Sequence, residues 1–263
     1  MRPGAIGREY CKNMTSYYTR HVAPVIGGRT RLCAVTVELL DKVISAALDS
    51  GLSTGTVQLI VLSFSVPLKE AARKRLIRMN PADYIMPVPR SGRERGVLSA
   101  QEVTALVSLI DSKGQSDRPA QAIKLALASG MRSGELRALK CEDIDLYHYL
   151  RDDGITLARI RISKSIAPYT GVKCPKNGKS RDVFIDNTFA LELCSAARDD
   201  GLVFPGMKSC HMTSVALRDS FYRLLSELGI DEQMRKSRNL TFHSHKIGKE
   251  AAAFQGSRGI ADK

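Results

Sequence analysis

Apolar residues recur at helical spacing over most of this chain and alternate strictly only past its midpoint, so the pattern predicts a mainly α protein with a small antiparallel β-sheet. In the first 85 residues the spacing predicts helices over 8–20, 36–50 and 54–78, then a short one opened by Asn80-Pro-Ala-Asp83. Gly27-Gly28 and Ser50-Gly-Leu-Ser53 separate them, and Thr36 and Ser53 stand where N-caps belong. Pro67 falls inside the third helix, where its missing N–H is expected to kink or split the helix near Phe64.

The stretch Met86-Pro-Val-Pro-Arg-Ser-Gly-Arg-Glu-Arg-Gly96 is rich in proline, glycine and charge and reads as a linker, taken as 86–97. It divides a helical domain, 1–85, from a second domain, 98–263. Ser99 and Glu102 form the Ser-x-x-Glu capping box that opens the second domain's first helix. Ser129-Gly130 ends an apolar helix at Ala128, because glycine takes the left-handed C-cap conformation without a Cβ penalty, and a new short helix begins at Ser133. Ile155–Ile162 alternates like a strand, and Arg181–Ile185 is its expected partner. Helical spacing resumes over 187–197 and 213–229.

Composition narrows the functional classes. With 263 residues, 43% of them hydrophobic, the chain can build a packed core. A formal charge of +13 points to a polyanionic partner. Residues 1–90 hold 13 Lys/Arg against 6 Asp/Glu and the rest of the chain is also basic, a spread that suits nucleic acid better than a membrane anchor. No apolar run reaches the length of a membrane span and the N-terminus lacks a signal-peptide core, so a cytoplasmic protein is expected. The six scattered cysteines form no zinc pattern and read as free thiols, so no metal is expected. No P-loop and no clustered carboxylates are present, which argues against an ATPase or a two-metal nuclease.

The most informative run is Ala128-Ser-Gly-Met-Arg132-Ser-Gly-Glu135-Leu136-Arg-Ala-Leu139-Lys-Cys-Glu-Asp143-Ile144-Asp145. Arg132 stands just past the glycine turn, and Glu135, three residues on, is spaced to hold its guanidinium in one pose for phosphate. Leu136 and Leu139 are expected to point inward. An isolated Arg-x-x-Glu is ordinary surface chemistry. Eighteen positions in register resemble the first signature box of the tyrosine recombinase (phage integrase) family. The resemblance implies a helical, SAM-like core-binding domain over 1–85 and a catalytic domain over 98–263. Lys69, Arg73, Lys74, Arg75 and Arg78, at the end of the third helix, would then face DNA.

Seven Lys/Arg and no acid lie from Arg159 to Arg181, with Asn177-Gly178 suited to a tight hairpin turn. The family carries its catalytic lysine on such a hairpin, as general acid for the leaving 5′ oxygen. The resemblance puts Lys176 there with Lys179 as a rival, and adds Lys179 and Arg181 to the DNA-binding set. Leu240-Thr-Phe-His243 resembles the entry to the family's third box, His-x-x-Arg, with His243 as its histidine, but Lys246 stands where the arginine belongs, and lysine lacks the planar fork that holds two phosphate oxygens. The nucleophilic tyrosine that the family places beyond this box has no counterpart: the last of eight tyrosines is Tyr222. A truncated or frameshifted C-terminus, incomplete for this fold, is therefore expected, with strand cleavage defective in the chain as given. The resemblance implies site-specific recombination or integration on double-stranded DNA, a homo-oligomer on DNA, and no cofactor. The alternative is a non-catalytic DNA-binding module or regulator derived from an integrase.

Overall fold

The computed structural model describes residues 7–89, 94–167, 171–174, 180–206 and 211–245. The chain divides into two compact units, Met1–Arg93 and Glu94–Lys263.

The first unit is helical. The run expected over 8–20 continues to 26 in three pieces: α1 (Arg8–Tyr17), a π turn (Tyr18–Val22) and α2 (Ala23–Ile26). Pro24, near the start of α2, has no N–H for the carbonyl of Arg20, so the helix widens and restarts; Gly27 then ends it at φ 85°. In α3 (Val37–Asp49) the residues Leu40, Val43, Ile44 and Ala47 form the buried stripe that the spacing requires. Thr36 has the extended backbone of an N-cap, but no side-chain capping bond; Ser53 does cap α4 (Thr54–Arg73), accepting the Thr56 N–H at 3.3 Å. Contrary to the expected break, α4 runs unbroken through Pro67, because Phe64 and Leu68 on either side of it are anchored in the core. It stops at Arg73 rather than 78: Arg75 takes φ 59°, and the N–H groups of Arg75 and Leu76 close back on the carbonyls of Ala72 and Ala71. Asn80 caps the turn Pro81–Asp83, accepting the Ala82 N–H at 3.1 Å.

The second unit is mainly α with a small antiparallel sheet. The Ser99/Glu102 capping box opens α5 (Ala100–Lys113) as expected. Arg238 donates to both oxygens of Glu102 at 2.6 and 2.9 Å, and this pairing drives the Glu102 carboxyl down to about 2. Residues 94–97 are part of this unit. The Gly96 N–H bonds the Asn239 carbonyl at 3.2 Å, the Asn239 amide bonds the Glu94 carbonyl at 2.9 Å, and a Cβ on Gly96 would lie 1.9 Å from the Arg238 oxygen.

Helix α6 (Arg118–Ser129) is the central strut, with Ala120, Ala122, Ile123, Leu125 and Ala126 buried, and Gly130 at φ 65° caps it where expected. Then come α7 (Ser133–Ala138), β1 (Ile144–Leu150), β2 (Thr156–Ile162), β3 (Ser165–Ala167), β4 (Gly171–Lys173) and β5 (Arg181–Asp186). The main sheet has the order β1-β2-β5, all antiparallel; Ile162 pairs with Arg181 and Ile160 with Val183, so Ala158, Ile160, Ile162 and Ile185 face the core. Strands β3 and β4 form a separate hairpin, with Ser165 opposite Lys173. Helices α8 (Asn187–Ser195), α9 (Ser214–Glu227) and α10 (Glu232–Ser237) follow, and a 3-10 turn, Phe242–His245, ends the described chain.

The pattern missed β1, β3, β4 and α10. A bulge between Asp145 and Tyr149, with Tyr147 at φ 55°, interrupts the alternation of β1, and α10 is a single capped turn and a half. The five described cysteines, at 11, 33, 141, 174 and 194, are free thiols. Among the described residues no helix is long and apolar enough to cross a membrane.

Candidate functional site

The site is built on the turn between α6 and α7. Gly130 reverses the chain, Met131 plugs into the core at 1% exposure, and Arg132 leaves α7 from its N-cap with extended backbone (φ −77°, ψ 155°). Leu136 and Leu139 are buried as expected, which fixes the helix below the arginine. Glu135 accepts the Arg132 backbone N–H at 2.8 Å and Arg132 Nη1 at 2.9 Å, the reciprocal hold that the spacing implied.

The structure adds a second arginine. Arg181, the first residue of β5, donates Nη1 and Nη2 to the two oxygens of Glu135 at 2.9 and 2.7 Å. The Glu135 side chain is 1% exposed, whereas those of Arg132 and Arg181 are 45% and 38% exposed, so a buried carboxylate holds two guanidiniums that still face solvent. Burial pushes the Glu135 carboxyl up, but the bonds from Arg181 and Arg132 outweigh it and hold the group below the ordinary carboxylate value. Arg181 is raised in turn, mainly by Glu135. One carboxylate against two guanidiniums leaves net positive charge at the surface, suited to a phosphate.

Gly134 explains how β3 reaches the same place. A Cβ there would lie 2.6 Å from Ser165 Oγ and 2.8 Å from the Ile166 carbonyl, so only glycine lets α7 and β3 approach this closely. Gly134→Ala should therefore cost about 1–3 kcal/mol of overpacking strain, read as a lower denaturation midpoint. An unchanged midpoint would mean that β3 can stand off without cost.

The structure distributes the expected basic residues unevenly. Lys69, Arg73, Lys74, Arg75 and Arg78 are all exposed at the end of the first unit's long helix, with Arg73 and Lys74 reaching back to Glu70 at 2.6 and 3.5 Å. Arg161 and Lys173 are exposed too, whereas Lys164 pairs with Glu142 and Asp143 at 2.8 and 3.3 Å and Arg159 pairs with Asp145 at 3.1 Å. Arg235 and Arg238, further along the chain, serve the fold instead. Arg235 stacks 3.8 Å over the Tyr222 ring, and Arg238 is the partner of Glu102. Lys176, Lys179 and Lys246 lie outside the described residues.

His243 sits in the turn Phe242–His245, which packs against α6 and α9. Leu240 and Phe242 are buried on either side of Thr241, the Phe242 ring meets Phe221 edge-on at 6.0 Å, and Ser244 Oγ accepts the Thr241 N–H at 2.9 Å. The backbone of the third box is thereby fixed against the helix that leads into Arg132. Sequence reasoning missed two roles, both long-range: the hold of Arg181 on Glu135, and Arg137, which is half-buried with Nε 2.5 Å from the Met212 carbonyl. Neither leaves a local sequence signal.

A family model, the phage integrase family, matches residues 96–254. No curated protein matches the sequence significantly. Among solved structures, the integrase of transposon Tn1549, in complex with transposon right-end DNA, has a TM-score of 0.74 at 16% identity over 98% of this chain and 84% of that one. A lambda integrase dimer bound to a core site has a TM-score of 0.61 at 18% identity over 98% and 75%. A lambda integrase tetramer on a Holliday junction has 0.62 at 17% identity over 98% and 70%. These likenesses are of fold.

Proposed function

Because the chain belongs to the phage integrase family, we propose that it binds duplex DNA at defined sites and serves site-specific recombination or integration, with Arg132 as the group that engages the reacting phosphate. The observation that carries this reading is the hold of buried Glu135 on Arg132 at the exact box the family shares, an arrangement in which a guanidinium is oriented before any phosphate arrives. His243 and Lys246 would join Arg132 around the phosphate, and Lys176, or its rival Lys179, would protonate the leaving oxygen. No step of this chemistry calls on a metal or nucleotide. Residues 1–85 are proposed as the core-binding domain and 98–263 as the catalytic-type domain, with the linker expected over 86–97 already joining the second unit at residue 94.

Lambda integrase is seen as a dimer on a core site and as a tetramer on a Holliday junction, and by that analogy this chain is proposed to assemble on DNA as well. Lys246, standing where the family has an arginine, favours a second reading in which the chain occupies recombination sites without cutting them. Either way the target is a site of definite sequence. Selection of bound duplexes from a random-sequence library should recover one motif of two inverted half-sites, as expected when symmetric copies bind. Recovery of fragments with no shared motif would contradict site-specific binding.

A further inference from the structure

We propose that Arg181 is a positioning residue for Arg132: its two-pronged hold on Glu135 fixes the carboxylate that orients the phosphate-binding arginine. The inference rests on the reading of Arg132 just given. Each Glu135 oxygen takes two donors, one oxygen Nη1 of Arg132 and Nη1 of Arg181, the other the Arg132 backbone N–H and Nη2 of Arg181. Arg132 contributes a single side-chain bond to this set, too little to fix the plane of the carboxylate, whereas Arg181 grips both oxygens with a planar fork.

The fork is itself anchored. Arg181 pairs in register with Ile162 at the end of β2, whose own side chain is in the core. Orientation therefore passes from the sheet to Arg181, from Arg181 to Glu135, and from Glu135 to Arg132. In sequence, Arg181 follows Lys179 by two residues.

The test uses the full chain and the variants Arg181→Gln, Arg181→Lys, Arg132→Ala and the double variant Arg132→Ala/Arg181→Gln. In the DNA-free protein, the Nε–H NMR signal of Arg132, assigned by its loss in Arg132→Ala, should shift or broaden in Arg181→Gln and return part of the way in Arg181→Lys. A change of stability alone would not move that signal in the folded protein. On duplex DNA, Arg181→Gln should weaken binding roughly tenfold, the scale of a lost charge-assisted hydrogen bond, and the double variant should bind no worse than Arg132→Ala. An unmoved Arg132 signal overturns the proposal whatever the DNA result. Additive losses overturn it too, since Arg181 would then contact phosphate independently. A moved signal in a protein that does not bind DNA would leave the positioning intact and sink the reading of Arg132 instead.

Discussion

Raising monovalent salt from about 50 to 200 mM is expected to weaken duplex DNA binding about a thousandfold, because phosphate contacts release condensed counterions. The exposed basic side chains set the number. Lys69, Arg75 and Arg78 in the first unit, with Arg132, Arg161 and Lys173 in the second, offer contacts to about six phosphates. At roughly −0.9 per contact, log K against log[salt] should fall with a slope near −5. Arg235 and Arg238 are left out of the count because the fold already uses them, against Tyr222 and Glu102. Fluorescence anisotropy over a salt series measures the slope. A value near zero would show that the basic surfaces do not meet the DNA backbone.

Glu135→Ala should loosen both arginines at once. The buried carboxylate takes four hydrogen bonds, and its removal leaves Arg132 and Arg181 without their shared partner. Both guanidiniums remain partly solvated, at 45% and 38% exposure, so the loss falls below that of breaking a fully buried pair: about 1–2 kcal/mol of stability. DNA affinity should fall by about tenfold or more, as Arg132 loses its fixed pose. The acid dependence gives an independent check. Glu135 is held below its ordinary 4.5, so its contribution to stability is complete above that pH and is lost as the pH falls through the lower folded value. Urea unfolding at several pH values should show the variant missing that part of the acid sensitivity. Equal acid profiles for variant and wild type would mean that Glu135 is not the linked group.

Much of this was legible in the amino-acid order, for reasons that differ between elements. The stripe Leu40-Val43-Ile44-Ala47, the Ser99/Glu102 box and the Gly130 cap are local devices, set by neighbours within a turn or two, and they stand where the pattern puts them. The link from Arg132 to Glu135 is equally local. What the order did not reveal depends on the fold closing. Pro67 reads as a break, yet α4 continues through it with Phe64 and Leu68 buried on either side, a tertiary term that outweighs one missing hydrogen bond. Arg181 reads as one more basic residue of a surface hairpin, and its partner lies 46 residues away on another element. Gly134 shows no reason of its own in the local sequence; that reason is the backbone of β3 pressed against it.

The central claim is that Arg132, held by Glu135, is the phosphate-binding centre, and the most direct test compares its loss with that of an equal charge elsewhere in the same unit. Arg137 is unsuited as the control, since its half-buried guanidinium supports the Met212 carbonyl. Lys236, 67% exposed on α10 and paired only to its helix neighbour Glu232 among the described contacts, removes the same charge without touching the site. Competition binding on the selected DNA site should show Arg132→Ala weakened by about 10–100-fold, the range of a charge-assisted hydrogen-bond pair. Lys236→Ala should stay within about twofold, as expected for an exposed charge away from the site. Equal losses from the two substitutions would reduce Arg132 to an ordinary surface charge and contradict the account.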